Sequence, residues 1–209
     1  MRSTGTGTGT GTGADTRVVT SVQRKPLLEA LARYAAWHAD EAATVARFQA
    51  FVAGNARCFE RSFLSGHVTG SAWLVDPPGR QVLLTRHRKL GIWVQLGGHA
   101  DGDPDTLAVA RREAEEESGL AAIETVDDAI FDLDIHLIPA RASEPAHFHY
   151  DVRYLFRATK GTRFRVSSES SALAWVPVDS LADTTTPSDF TSEASMLRMA
   201  LKWQTRTRV

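Results

Sequence analysis

The spacing of hydrophobic residues changes from helical to strand-like near residue 66. Between residues 26 and 63 apolar residues recur at three-to-four spacing, at Leu27, Leu28, Leu31 and Tyr34 and then at Val45, Phe48, Phe51 and Val52. This spacing predicts two amphipathic helices, with Asp40 as the N-cap of the second. Because apolar stripes usually face a core, we interpret residues 21–65 as a packed helical extension. A helical pair that covers a substrate or binds a partner is the alternative.

Alternating apolar and polar residues predict strands after Gly66. The predicted strands are 67–76, 81–87, 92–101, 129–138, 147–156 and 172–178, with helices at 106–118 and near 192–203. Pro77, Pro78 and Gly79 predict a turn that joins the first two strands as an antiparallel pair. This mixture of strands and helices predicts one α/β or α+β domain over residues 66–209.

Composition narrows the classes of protein that fit. The chain has 209 residues and a formal net charge of −1, so no overall field attracts nucleic acid or an anionic membrane. The single cysteine, Cys58, which we place in a helix, excludes an internal disulfide framework. No apolar run is long enough for a membrane span or a signal peptide, so we predict a cytoplasmic protein. The Gly/Thr repeat within residues 1–20 predicts a disordered tail.

An acidic helix follows a glycine-rich loop in the segment Gly97 to Leu120. Helical spacing puts Glu113, Glu116 and Glu117 on a common side, close to Arg112. Clustered carboxylates are tolerated where a hard divalent cation neutralises them, which favours Mg²⁺, with Mn²⁺ also possible. A solvated, glutamate-rich surface is the alternative. Asp103 and Pro104 predict the start of this helix, and Gly119 predicts its end.

The complete segment resembles the Nudix box, G-x5-E-x7-R-E-U-x-E-E-x-G-U with U apolar. The residues in register are Gly98, Arg112, Glu113, Ala114, Glu116, Glu117, Gly119 and Leu120. One departure is that Pro104 stands where the first motif glutamate is expected, with Asp103 before it in place of a glycine. The resemblance implies a Nudix-type α/β/α sandwich with a mixed sheet, to which residues 21–65 add an N-terminal helical segment.

The resemblance also implies a reaction. Nudix hydrolases mostly cleave a diphosphate linkage in a nucleoside diphosphate derivative by attack of water at phosphorus. Carried over to this sequence, the roles make Glu116 and Glu117 ligands of Mg²⁺ and Glu113 a further ligand or a base. The Gly97 carbonyl is a further metal ligand, and Arg112 orients the carboxylates.

Residues outside the box supply candidates for substrate contact. They are Arg86, Arg88, His99, His147, His149, Asp151 and Arg153. Arg86 and Arg88 are equally well explained by a surface turn, and the histidines by a solvated strand face. Together with His136, the histidines are also candidates for a second metal, although we do not expect a zinc site. Asp151 and Glu169 are candidates for a catalytic base.

Two other functions are weighed against hydrolysis. A non-catalytic Nudix-fold sensor would bind a nucleotide and report to a partner. The Gly-Gly-His segment also resembles the Cys-Gly-His segment of isopentenyl diphosphate isomerases, but Gly97 stands in place of the reactive cysteine. We therefore expect a small-molecule nucleoside diphosphate derivative as the partner, with no nucleic acid and no membrane. The apolar helical extension makes a homodimer possible.

Overall fold

The structure, a computed structural model, describes residues 20–88, 91–141, 144–166, 170–185, 190 and 194–207. The tail predicted for residues 1–20 therefore lies outside the described residues, except for Thr20, and Glu169 also lies outside them. Thr20 caps the first helix: its hydroxyl accepts a hydrogen bond from the Gln23 amide, and the Gln23 side chain accepts one from the Thr20 amide. This reciprocal pair is a capping box.

The helices and strands follow the predicted order. They are α1 (Ser21–Trp37), α2 (Ala42–Gly54), β1 (Gly66–Val75), β2 (Gln81–His87), β3 (Trp93–His99), α3 (Thr106–Ser118), β4 (Ile123–Thr125), β5 (Asp132–Ile138), β6 (His147–Ala158), β7 (Ser170–Pro177), α4 (Val178–Ala182) and α5 (Ala194–Thr207). The six predicted strands and the helix at 106–118 are confirmed. The sequence did not predict β4, because three residues are too few to show an alternating pattern.

The predicted helix caps at Asp40 and Asp103 are wrong. Asp40 lies inside a short 3₁₀ turn, Ala39–Glu41, that joins α1 to α2. Asp105 caps α3 by accepting a hydrogen bond from the Ala108 amide at 3.0 Å. The Asp103 carboxylate instead accepts a hydrogen bond from the Asp105 amide at 2.9 Å, two residues before the N-cap. The prediction that Cys58 lies in a helix is also wrong, because this residue lies in turns that follow α2.

A seven-stranded mixed sheet forms the centre of the fold. Its order is β4-β6-β1-β3-β2-β7, and β5 pairs with β6. The β1–β6 pair is parallel, whereas the other pairs are antiparallel. In this register Thr69 lies opposite Asp151 on one side and opposite His99 on the other. Polar side chains from β3, β1 and β6 therefore meet on one face of the sheet.

Helices cover both faces of the sheet, as predicted for an α/β/α sandwich. Residues of α1, α2 and α3 form one apolar core with the sheet, and residues of α5 form a second core with it. Trp73 belongs to the second core and Tyr150 to the first, where Tyr150 stacks on Phe51. The separation of residues 21–65 from residues 66–209 as distinct units stays a prediction. No helix among the described residues has the length and apolar composition needed to cross a membrane.

Candidate active site

Helix α3 packs closely on β1 because the contact surface is made of small residues. Ala110 and Ala114 are buried, and Gly70 lies beneath the helix. A Cβ atom at Gly70 would lie 2.8 Å from the Thr106 carbonyl oxygen. Gly119 ends the helix in the left-handed conformation at φ 59°, as predicted. The helix is thus fixed in position along the sheet.

This packing brings two of the predicted glutamates onto the Gly-Gly segment of β3. The Gly97 amide donates a hydrogen bond to Glu117 Oε2 at 3.0 Å. The carboxylate of Glu113 lies over Gly98, where an added Cβ would be 2.5 Å from Glu113 Cδ. Glu116 is exposed, and so is Glu115, which pairs with Arg111 at 3.7 Å. A side chain at Gly98 would occupy the position of the Glu113 carboxylate.

Arg112 lies beside Glu113 rather than bracing Glu116. Its Nη2 atom donates to Glu113 Oε1 at 3.2 Å and to the His99 carbonyl at 3.4 Å. The guanidinium therefore connects the acidic helix to the end of β3. Glu113 therefore has a positively charged neighbour. Its side chain is only 15% exposed, so it is largely shielded from water.

The donor atoms at this site fit a hard divalent cation. The carboxylates of Glu113 and Glu117 offer oxygen atoms, which Mg²⁺ and Mn²⁺ prefer as ligands. Among the described residues, however, the three glutamates do not form a group whose ligand atoms all lie within 4.8 Å. An ion bound here would draw in the exposed side chain of Glu116.

Asp151 and Arg153 are buried in a polar network, which contradicts the prediction that they contact substrate. Asp151 is 2% exposed and accepts hydrogen bonds from four side chains: Thr69 Oγ1 at 2.8 Å, Ser71 Oγ at 2.7 Å, Gln95 Nε2 at 3.0 Å and Arg153 Nε at 2.7 Å. Arg153 is also 2% exposed and bonds to Asp132 at 3.0 Å. Both side chains therefore join neighbouring strands of the sheet, and the four hydrogen bonds to the Asp151 carboxylate all come from residues of the sheet.

Arg86 and Arg88 are exposed, and Arg86 lies away from the contact between Glu117 and Gly97. Arg86 pairs with Trp93 at the start of β3, whereas Glu117 contacts Gly97, four residues further along. At ~3.3 Å per residue, this separation is roughly 13 Å along the strand. A substrate contact by either arginine stays a prediction.

The predicted histidines gather at one end of the sheet, joined by His67. The ring centroid of His67 lies 5.0 Å from that of His99, 5.0 Å from that of His147 and 4.7 Å from that of His149. His136 lies 5.4 Å from His149. His99, His136, His147 and His149 are partly buried, whereas His67 is 2% exposed. Sequence reasoning missed His67 since only the β1–β6 register places it opposite His149.

Comparison with known proteins places the chain in a family. The structure resembles an Ap4A hydrolase from C. elegans with a TM-score of 0.52 at 15% identity, over 68% of this chain and 97% of that one. It also resembles the Nudix hydrolase RenU from M. smegmatis (TM-score 0.45, 24% identity, 68% and 88% covered) and a MutT Nudix hydrolase from Burkholderia pseudomallei (0.47, 24%, 66% and 97%).

The likeness to the Ap4A hydrolase shows a shared fold and nothing more, because the sequence identity is only 15%. None of the curated proteins compared matches the sequence significantly. The family model of the NUDIX domain matches residues 67–195, which is more than half of the chain. This chain therefore belongs to the Nudix family.

Proposed function

We propose that this protein is a metal-dependent hydrolase that cleaves the diphosphate linkage of a nucleoside diphosphate derivative. Membership of the Nudix family and the hydrolases among its structural neighbours support hydrolysis. One of those neighbours is named an Ap4A hydrolase, and a further structural neighbour, from Streptococcus suis, is named an ADP-ribose pyrophosphatase. A small molecule containing a diphosphate is the substrate class common to these names.

The contact that carries the proposal is the one between the acidic helix and the Gly-Gly segment. Glu117 accepts a hydrogen bond from the Gly97 amide, and Glu113 lies against Gly98 with no room for a side chain between them. Like charges four residues apart on a helix repel one another, which costs stability unless a positive charge offsets them. Such an arrangement is explained by a cation that the carboxylates bind during the reaction.

The residues of the chain take distinct roles in this proposal. Glu116, Glu117, Glu113 and the Gly97 carbonyl would hold Mg²⁺ or Mn²⁺, which when bound would polarise the phosphate and lower the pKa of the attacking water. Arg112 keeps Glu113 in position through its 3.2 Å contact. Glu113 is then placed either to ligate the ion or to accept the proton of the water.

The decisive experiment compares two neighbouring glutamates. We would measure hydrolysis of ADP-ribose, dinucleoside polyphosphates, sugar nucleotides and nucleoside triphosphates, with Mg²⁺ and with chelator, by wild type, Glu117→Gln and Glu115→Gln. The expected result is metal-dependent cleavage that falls by roughly 10²- to 10³-fold in Glu117→Gln, since a metal ligand supplies several kcal/mol to the transition state. Glu115→Gln is the matched control, because Glu115 is exposed on the same helix.

The same panel separates hydrolysis from the alternatives. Equal activity in Glu117→Gln and wild type would contradict the metal site, and inactivity of wild type on every substrate would contradict the hydrolase. Nucleotide binding without cleavage would then support a sensor. An isomerase of the isopentenyl diphosphate type lacks its acid or base here, because Cys58 is fully buried and burial raises the pKa of its thiol to about 12.

A further inference from the structure

Five histidines from four strands meet on the sheet face opposite Glu113. Gly98 faces Glu113, so the next residue of β3, His99, faces the other side of the sheet. There it meets His67 of β1 and His149 of β6, with ring centroids 5.0 Å and 5.2 Å away respectively. His147 and His136 border this group at 5.3 Å and 5.4 Å from His149.

The central rings contain ring nitrogens that are buried without partners. His67 is 2% exposed, and neither its Nδ1 nor its Nε2 has a hydrogen-bond partner among the described residues. His149 Nε2 is buried without one as well. The carbonyl of Phe63 favours the charged form of His67, but forms no hydrogen bond of acceptable geometry with it. A buried ring nitrogen without a hydrogen-bond partner is unfavourable, so a ligand is expected to bind there.

The environment of these rings keeps them neutral. Burial, followed by the charges that His99 and His147 would carry, lowers the pKa of His67 to about 4. Burial, followed by the charge on His67, lowers the pKa of His149 to about 2. A neutral imidazole presents one lone pair, which is the form that binds a metal.

We propose that His67, His99 and His149 bind a divalent transition metal of the class that prefers imidazole, represented by Zn²⁺. One nitrogen from each ring lies within 4.8 Å of the others. Zinc–nitrogen bonds of ~2.0–2.1 Å in tetrahedral geometry place ligand nitrogens roughly 3.3 Å apart, so closure needs ring movements of the order of 1 Å. Three histidine ligands leave one position for water, for His147 or for a substrate oxygen.

This site differs in chemistry from the one proposed for Mg²⁺. Three neutral nitrogens suit zinc and similar ions, whereas Mg²⁺ prefers oxygen. The two sites are joined through β3, because the His99 carbonyl accepts a hydrogen bond from Arg112. Metal on His99 would therefore fix the end of the strand that carries Gly97. The proposed site does not depend on hydrolase activity, and it differs from the expectation from the sequence that no zinc site is present.

Metal binding by the full-length chain tests this inference directly. Protein stripped with chelator would be titrated with Zn²⁺ in excess Mg²⁺ by calorimetry, and with Co²⁺ by visible absorption, whose intensity reports tetrahedral coordination. We expect one ion per wild-type chain, with affinity at least about 100-fold weaker in His99→Gln and in His149→Gln. Losing a direct ligand should cost no less than losing the partner of a ligand, which costs 10- to 100-fold.

Two control variants separate this site from its neighbours. Glu117→Gln should bind Zn²⁺ as wild type does, because Glu117 belongs to the oxygen site. His136→Gln should also do so, since the Nδ1 of His136 already bonds to Asp134 at 2.9 Å. His99 is only partly buried, so His99→Gln should still fold, and the Zn²⁺-induced rise in Tm seen for wild type should be absent from it.

Three results would overturn the inference. They are the absence of stoichiometric Zn²⁺ binding by wild type, equal affinity in the folded His99→Gln variant, and loss of the ion in Glu117→Gln rather than in the histidine variants. None of them depends on turnover, so failure of this inference and failure of the proposed hydrolase are distinguishable.

Discussion

Gly98 shows how a single residue shapes the candidate active site. An added Cβ would lie 2.5 Å from Glu113 Cδ, so glycine is required for the carboxylate to occupy its place. The group that it would displace is the far end of a flexible side chain rather than backbone. A substitution here should therefore disturb the site much more than the fold.

We predict that Gly98→Ala lowers hydrolysis by roughly 10²-fold, as expected when a reacting group moves by about 1 Å. The free energy of unfolding should change by less than about 1 kcal/mol, since Glu113 can rotate away. Steady-state kinetics and urea unfolding of the same preparations test both parts. Gly54→Ala is the control, because a Cβ at Gly54 meets nothing within 4 Å. Unchanged kinetics in Gly98→Ala would show that the position of Glu113 is unimportant.

Sequence spacing is informative for residues that lie close together in the chain. The sequence predicts Glu113, Glu117 and Gly97 as one site, and the structure places Glu117 against Gly97 and Glu113 against the adjacent Gly98. Residues that meet only through strand register are different. His67 and Gln95 carry no local signal, because their neighbours His149 and Asp151 lie far along the chain on β6.

At the level of elements, the contact between α3 and β1 decides where the acidic helix lies. A Cβ at Gly70 would be 2.8 Å from the Thr106 carbonyl oxygen and 3.1 Å from the Ala110 amide nitrogen. Both atoms belong to backbone, which cannot move without shifting the helix. The close approach at Gly70 is therefore a requirement of the fold rather than of the chemistry alone.

We expect Gly70→Ala to reduce the free energy of unfolding by about 1–3 kcal/mol, the usual cost of overpacking. Urea unfolding measures this loss, and Gly54→Ala again serves as the reference. Gly70→Ala and Gly98→Ala form a contrasting pair. An added Cβ would meet backbone atoms at Gly70 but the end of a side chain at Gly98. A Gly70→Ala protein as stable as wild type would mean that α3 packs more loosely than it does here.

The bounds of α3 could be predicted because its apolar period and Gly119 are both local signals. The N-cap of α3 could not be predicted, because Asp101, Asp103 and Asp105 are the same residue type and differ only in backbone conformation. Asp101 has a positive φ of 51°, whereas Asp105 adopts the angles that start the helix. The burial of the polar face of β6 also escaped prediction, because the covering helix α5 follows much later in the chain.

Across the whole molecule, Asp132 ties the outer helix to the sheet. Its fully buried carboxylate accepts hydrogen bonds from Arg153 at 3.0 Å, from Arg198 at 2.8 Å and 2.9 Å, and from Lys202 at 2.7 Å. Lys202 also donates to Tyr34 of α1 at 2.6 Å. Elements from both ends of the chain thus meet at one carboxylate. Burial alone would raise the pKa of Asp132, but the bonds and charges of Arg198, Arg153 and Lys202 outweigh it and lower this pKa.

The sign of the pH dependence follows from that lowered pKa. The unfolded carboxyl titrates near pH 3.9, so the stabilisation from Asp132 is fully present above about pH 4. It is lost as the pH falls from there through the lower pKa of the folded state. Asp132→Asn should cost roughly 3–5 kcal/mol at pH 7, because it removes the buried negative charge that Arg153, Arg198 and Lys202 all pair with.

Free energies of unfolding in urea between pH 7 and pH 3 test this prediction. The difference between wild type and Asp132→Asn should stay constant down to about pH 4 and shrink below it. Asp127→Asn is the matched control, since Asp127 also pairs with α5, through Arg206, but both side chains are partly exposed. That pair should contribute less than about 1 kcal/mol. If the two variants lost equal stability, Asp132 would be no more than a surface ion pair, and the attachment of α5 would have to rest on Met199 and Trp203 in the apolar core beneath it.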